Sequence, residues 1–326
     1  MKHIATIPKE RGIDVLVAFS ICYENLMRTS RIPRDANFLA LNTKIKTTSA
    51  HYLGGTSFDI AVLLHKLGYN IQLMATVGQD EEGPGRTFVE RRLKKYEFPY
   101  LLLPVRRGTS SAQVWIERGH DPIIFSHKTP YLNFPLEEIK KKTQKWKPGV
   151  VVASGVMPEE VPMVEALFEA HPDAFCILNP RAELTAEPTL FERLLKLNPL
   201  VCLNHQELGS CIGIDVSEND VNEDIVGMMH DKGVNTIIVT CNEHGSVLSS
   251  RSNQLWIKQS VIRFGTPIDK TGAGDSFLAA VIYAIFKGKT AEDAMRWGAT
   301  MAGLKVLREG GSNVPSAEEF KQALQK

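Results

Sequence analysis

Six short apolar runs recur along the chain, at Asp14 to Ile21, Ile71 to Val77, Val150 to Ala153, Phe175 to Leu178, Leu200 to Leu203 and Thr236 to Thr240. They are rich in β-branched residues, and most are followed by a segment of helical period. Strands apolar on both faces must be covered on both faces, and joining two parallel strands takes a crossover long enough to hold a helix. The alternation therefore predicts an α/β fold in which helices flank a central, mostly parallel sheet.

Three helices are legible from their stripes. After Gly55, residues Ile60, Ala61, Leu63, Leu64 and Leu67 fall on one face before Gly68, a residue suited to a C-terminal cap. A second helix is expected from about Gly274 to Lys287, with Leu278, Val281, Ile282, Ile285 and Phe286 inward. A third runs from Ala291 to Arg308 with Ala294, Trp297, Met301 and Leu304 on one face, ended by Gly310 and Gly311. Two stretches break the scheme, Phe38 to Leu53 and Leu101 to Lys128; in the latter Ala112, Val114 and Ile116 alternate with Ser111, Gln113 and Trp115. Both read as extra antiparallel strands inserted among the early βα units of a single 1–326 domain, paired into a small sheet that acts as a lid. An ordinary edge of the main sheet is the alternative.

Composition narrows the function. Lys and Arg number 38 against 37 Asp and Glu, a formal net charge of +1, so no strong field favours nucleic acid or an anionic membrane. The five cysteines are scattered without a C-x-x-C pair, which argues against a disulfide framework or structural zinc and fits a reducing compartment. The polar opening MKHIATIPKERG and the lack of any long apolar run lead to the expectation of a soluble, cytoplasmic protein.

The most informative stretch is Asp269-Lys270-Thr271-Gly272-Ala273-Gly274-Asp275-Ser276-Phe277, a glycine-rich turn running into an apolar helix. A helix N-terminus among small residues is an anion site, because unpaired amides and the positive dipole end converge there. Asp275 in that first turn is placed to take the proton of an attacking hydroxyl while the amides hold a phosphoryl group. A plain helix-starting acid and a tight turn fit these residues equally well. A second pair, Gly54-Gly55, opens the helix ending at Gly68, where backbone can approach a small polar ligand or merely turn. No G-x-G-x-x-G follows the first strand and no G-x-x-x-x-G-K-[ST] occurs, which weakens dinucleotide-dependent oxidoreductase and P-loop readings.

In order and spacing, Gly54 to Gly83 (GGTSFDIAVLLHKLGYNIQLMATVGQDEEG) and Asp269 to Phe277 (DKTGAGDSF) resemble the two signatures of the ribokinase/PfkB family of carbohydrate and nucleoside kinases, from about residue 13 to the C-terminus. The resemblance implies a ribokinase-like three-layer α/β/α fold with a β-lid, and ATP-dependent phosphorylation of a primary hydroxyl on a small ribose- or fructose-like sugar, with an adenosine-type nucleoside as the alternative acceptor. It implies Asp275 as the base, with Gly272, Ala273 and Gly274 forming the anion hole. Asn204 and Glu207 correspond to the family's N-x-x-E element, which organises Mg2+ through water; a helix start capped by Asn204 fits the same residues equally well. Thr240 to Gly245 resembles a T-x-G-x-x-G nucleotide turn, making Thr240, Gly245 and Thr271 ATP neighbours. Some members hold K+ near Asp269, Thr271 and the loop after the last long helix, here Gly310 to Asn313. A homodimer through the lid is a further expectation.

The acceptor side departs from the pattern. Asp59 stands where G-G-x-x-x-N ends in Asn, and Glu24 at the early acidic position; with Gly54 and Gly55 these are the expected acceptor contacts. Ionised carboxylates only accept hydrogen bonds, which favours a polyhydroxylated or cationic acceptor over a phosphorylated one. Asn242 replaces a glycine in the nucleotide turn, and Lys270 a small residue before Thr271. These changes also suit a catalytically silent nucleotide-binding regulator.

Overall fold

A computed structural model describes residues 2–8, 11–29, 48–78, 85–105, 108–117, 123–127 and 136–325. The chain begins with β1 (Ile13–Phe19), β2 (Cys22–Arg28), β3 (Thr48–Gly54), α1 (Thr56–Lys66), β4 (Ile71–Gly78), α2 (Arg86–Leu93), β5 (Tyr100–Val105), β6 (Ser111–Ile116) and β7 (Ile123–His127). It continues through α3 (Leu136–Gln144), β8 (Pro148–Val156), α4 (Val161–Glu169), β9 (Phe175–Pro180), α5 (Ala182–Thr185), α6 (Pro188–Leu195), β10 (Leu200–Asn204), α7 (His205–Ile212) and α8 (Glu223–Asp231). The last elements are β11 (Thr236–Thr240), β12 (Ser246–Ser250), β13 (Leu255–Gln259), α9 (Ala273–Phe286), α10 (Ala291–Lys305) and α11 (Ala317–Leu324).

Nine strands form the main sheet in the order β13-β12-β11-β10-β9-β8-β1-β4-β5. Pairings from β11 through to β5 are parallel, and only β12 and β13 run antiparallel to their neighbours. Each of the six apolar runs is one of these strands. Along β1 the side chains alternate between two cores: Val15 and Val17 pack with α1, α9 and α10 on one face, Leu16 and Ala18 with α4, α6, α7 and α8 on the other. The sheet is thus the middle of three layers. The chain winds outward from β1 to β5 and then returns to β8 beside β1. Strand order reverses there, opening a crevice at the carboxyl ends where ligands bind in such sheets.

A second sheet, in the order β3-β2-β6-β7, leaves the main one just after β1. Of the expected extra strands, 48–53 lies in β3, while 38–47 falls outside the described residues. The other stretch divides, with 101–105 pairing parallel to β4 as the edge of the main sheet and 111–116 and 123–127 entering the small one. β2 lies beyond the first apolar run, which ends at Ile21, and was not read as a strand. It pairs antiparallel with β3 and parallel with β6, and β7 joins the small sheet through β6. α1 is buried almost all round, from Ser57 to Leu64, rather than along one stripe, because it packs under both the sheet and α9.

Candidate active site

The turn before α9 is fixed by backbone geometry. Gly272 is the N-cap with φ of 76°, in the left-handed region, and a Cβ there would meet Gly311 Cα at 2.8 Å. Glycine is therefore required for both conformation and space. Asp269 upstream is buried, its two carboxylate oxygens accepting the N–H of Thr271 and of Gly310, each at 2.8 Å. One side chain thereby ties the start of α9 to the loop that follows α10. Gly274 is exposed, while Ala273 and Asp275 are half-buried, so an anion can reach the first-turn backbone of a 14-residue apolar helix at its positive end.

Asp59 lies on α1 and is 3% exposed. Its Oδ2 sits where a Cβ on Gly311 would be, 2.2 Å from that position, so the acid packs directly over the 310–312 loop. Burial first, then the charges of Glu24 and Asp275, push its carboxyl well above the usual range, while Lys305 opposes the shift. Its buried Oδ1 has no hydrogen-bond partner among the described residues, and neither have Thr271 Oγ1 and Ser276 Oγ. Glu24, 6% exposed on β2, lays its carboxylate over Gly54, where any Cβ would come within 2.2 Å of it. Gly55, at φ of 101°, is the N-cap of α1 and backs onto the Ser20 carbonyl. The small sheet is held to the 308–312 loop by the Arg28–Glu309 ion pair, Nε to Oε2 2.7 Å, and by Ser312 Oγ donating to Leu53 O at 3.1 Å.

Asn204 ends β10 and caps α7: its Oδ1 accepts the Glu207 N–H at 2.8 Å, and Glu207 Oε2 accepts the Asn204 N–H at 2.9 Å. The pair makes a full capping box. Burial pushes the Glu207 carboxyl up to about 7, eased by its bond from Asn204 and by Arg181, and Asp275 adds to the rise. The N-x-x-E element and the α9 turn therefore share one electrostatic neighbourhood. Thr240 stands opposite Asn204 in the β10–β11 register. In the turn after it Asn242 takes φ of 44°, the left-handed conformation that asparagine tolerates, and donates from Nδ2 to Glu218 Oε1 at 2.6 Å. Gly245, at φ of 93°, comes within 2.1 Å of the Gln259 carbonyl at its Cβ position.

The structure thus brings Gly54, Gly55, Asp59, Glu24, Gly272 and Asp275 together around the 308–312 loop, with Asn204, Glu207 and Thr240 at neighbouring strand ends. Lys305 was not anticipated: it is wholly buried. The signal was there, since residue 305 continues the apolar i, i+4 stripe of Trp297 and Met301.

Residues 19–318 match the sequence profile of the pfkB family carbohydrate kinases. The chain is 27% identical over 295 residues to a nucleoside kinase of Methanocaldococcus jannaschii, covering 87% of this chain and 90% of the relative. It is also 27% identical over 150 residues to a ribokinase of Haemophilus influenzae, a match spanning 46% of this chain and 47% of that protein. Among solved structures, ribokinase from Arabidopsis thaliana complexed with ribose and ATP superposes with a TM-score of 0.74 at 21% identity, over 96% of this chain and 99% of that one. Burkholderia thailandensis nucleoside kinase in complex with inosine gives 0.73 at 21% identity, over 95% and 97%. Among the described residues no helix is long and apolar enough to cross a membrane. With a matching profile over most of its length and the fold of these enzymes, the chain belongs to the pfkB family of carbohydrate kinases, phosphotransferases that act on alcohol groups.

Proposed function

We propose that this chain transfers the γ-phosphoryl group of ATP to a primary hydroxyl of a small ribose- or fructose-like sugar, with Asp275 as general base. The observation that carries the reading is the packing of Asp59 on Gly311 and of Gly311 on Gly272, the N-cap of α9, which sets the acid beside the helix start that carries Asp275. The acceptor hydroxyl gives its proton to Asp275, its oxygen bonds to the γ-phosphorus, and the bond to the bridging oxygen breaks to release ADP. The amides of Gly272, Ala273 and Gly274 receive the charge on the transferring group. Gly54, Gly55, Asp59 and Glu24 orient the acceptor, and Thr240, Gly245 and Thr271 flank the nucleotide.

Magnesium fits the residues present. Glu207 keeps one carboxylate oxygen beyond its capping bond, and a hard cation that retains water needs few protein oxygens. Asn204 and Glu207 would hold it through water, where it would offset phosphate charge. The small sheet, tied down at Arg28–Glu309, acts as the lid that excludes water from the transfer. Among the described residues its edge strands β3 and β7 each have one neighbour in the sheet, and a homodimer formed through this sheet would give a twofold mass by light scattering.

A nucleoside acceptor is the second reading. It is supported by the relative from M. jannaschii and by the Tyr52 ring beside Gly310, about which a base can stack. ADP release from MgATP, measured across pentoses, hexoses, nucleosides and sugar phosphates with Asp275→Asn as blank, separates the two. The sugar reading requires pentose- or hexose-stimulated turnover that the variant loses by ~10²-fold or more. ATP binding without turnover on any acceptor would instead support a silent regulator.

A further inference from the structure

Phe19 ends β1 with φ of 97°, an outlying conformation for a bulky residue. It is 1% exposed, and the chain passes from the main sheet to the small one just beyond it. Backbone strain of this kind persists only where the surroundings over-determine it, and it gathers at functional sites. The groups flanking Phe19 are held by a single side chain. Ser57 Oγ, in the first turn of α1, accepts the Ser20 N–H at 3.0 Å and donates to the Ala18 carbonyl at 2.6 Å. The Ser154 carbonyl of β8 is a second acceptor at 3.0 Å.

Ser57 is 0% exposed, so one buried hydroxyl joins β1, β8 and α1 where strand order reverses. The packing around it leaves little slack. A Cβ on Gly155, at φ of 69°, would meet Ser20 Cβ and Thr56 Oγ1, each at 2.6 Å, and Phe58 N–H donates to the Ser20 carbonyl at 3.3 Å. The proposed acceptor contacts lie on the segments that meet here: Ser20 leads into β2 and Glu24, while Gly54, Gly55 and Asp59 flank Ser57 on either side. None of the hydroxyl's contacts reaches β10 or β11, where Asn204 and Thr240 stand.

We propose that Ser57 is a positioning residue for the acceptor. Its hydroxyl clamps the strained end of β1 to β8 and α1, and so fixes Glu24 on β2 relative to Gly54, Gly55 and Asp59 across the crevice. The clamp serves the acceptor side and leaves the nucleotide side alone. A hydroxyl that merely fills space in the core would instead support both sides alike. The inference rests on the kinase reading only for the kinetic part of its test.

The full-length chain is compared with Ser57→Ala, which removes the hydroxyl, and with Ser57→Cys, which keeps the bulk but donates only weakly. In both variants the acceptor KM should rise about tenfold or more while the KM for MgATP stays within about twofold. Amide hydrogen exchange should quicken about tenfold or more in β2, β3 and the first turn of α1, and stay unchanged in β10 and β11. Exchange that quickens evenly along the chain, or nowhere, overturns the proposal. So does a Ser57→Cys variant that behaves as wild type, or a KM for MgATP that climbs with that of the acceptor. If no acceptor is turned over, the kinase reading is in question and the exchange comparison still decides the clamp. If neither variant folds, the wild-type Ser20 amide decides: it should exchange within about tenfold of the Val17 amide in β1, and exchange near the unprotected rate overturns the clamp.

Discussion

Gly311→Ala probes whether Asp59 and the turn at Gly272 form one packed unit. The new Cβ would lie 2.2 Å from Asp59 Oδ2 and 3.0 Å from its Cγ, inside any non-bonded approach. Asp59 has little room to yield, because α1 is buried from Ser57 to Leu64. The 310–312 backbone is held in turn by Gly310 N–H on Asp269 and by Ser312 Oγ on Leu53 O. Overpacking of this kind costs about 1–3 kcal/mol. Gly272 packs on Gly311, so the anion hole proposed at Gly272 to Gly274 moves with the loop, and a shift of ~1 Å should cost about 10²-fold in turnover. Urea unfolding of Gly311→Ala, Asp59→Ala and the double variant, with ADP release alongside, gives the test. Once the Asp59 carboxyl is gone the methyl has space, so a coupling of about 1–3 kcal/mol should return most of the loss. The same cost in both backgrounds would refute the packing argument.

Glu207 is held protonated up to about 7, against an unfolded value of 4.5, so its contribution to stability is full below 4.5 and is lost as pH rises to about 7. Glu207→Gln keeps the cap but removes that loss; its stability relative to wild type should improve by about 3 kcal/mol between about pH 4 and pH 8, and a flat difference in urea unfolding would contradict it. Burial and its acidic neighbours keep Asp59 protonated above the usual carboxyl range, and in that form it donates a hydrogen bond as an asparagine amide would. The acceptor KM of the wild type should therefore climb with pH while that of Asp59→Asn stays level; a level wild-type profile sinks the idea. Gly245→Ala drives a Cβ to 2.1 Å from the Gln259 carbonyl at φ of 93°, and should weaken ATP binding about tenfold or more by calorimetry.

The early strand region is where sequence and structure part company. The first apolar run ends at Ile21, and β2 was not read as a strand because Glu24, one of its three buried positions, is charged; it enters the second sheet. The stretch around Leu101 reads as part of the lid because an edge strand of either sheet has the same period of two. Asp59 stood out in the sequence as a departure from a motif. That it rests on Gly311 was not legible there.

What the sequence determined by itself is local: strand and helix periods, the glycine-rich turn at 272–274, a helix start capped at Asn204, and the helix N-terminus carrying Asp275. Each depends on residues within a turn or two, where sterics and hydrogen bonding act between near neighbours. Only the tertiary structure decided that residues 24, 59, 269, 275 and 311 share one volume, because their meeting depends on how β2, α1, α9 and α10 pack together. The charge balance of the site follows from that packing: burial sets the cost of each ion, and neighbours far apart in the chain set which ions are kept.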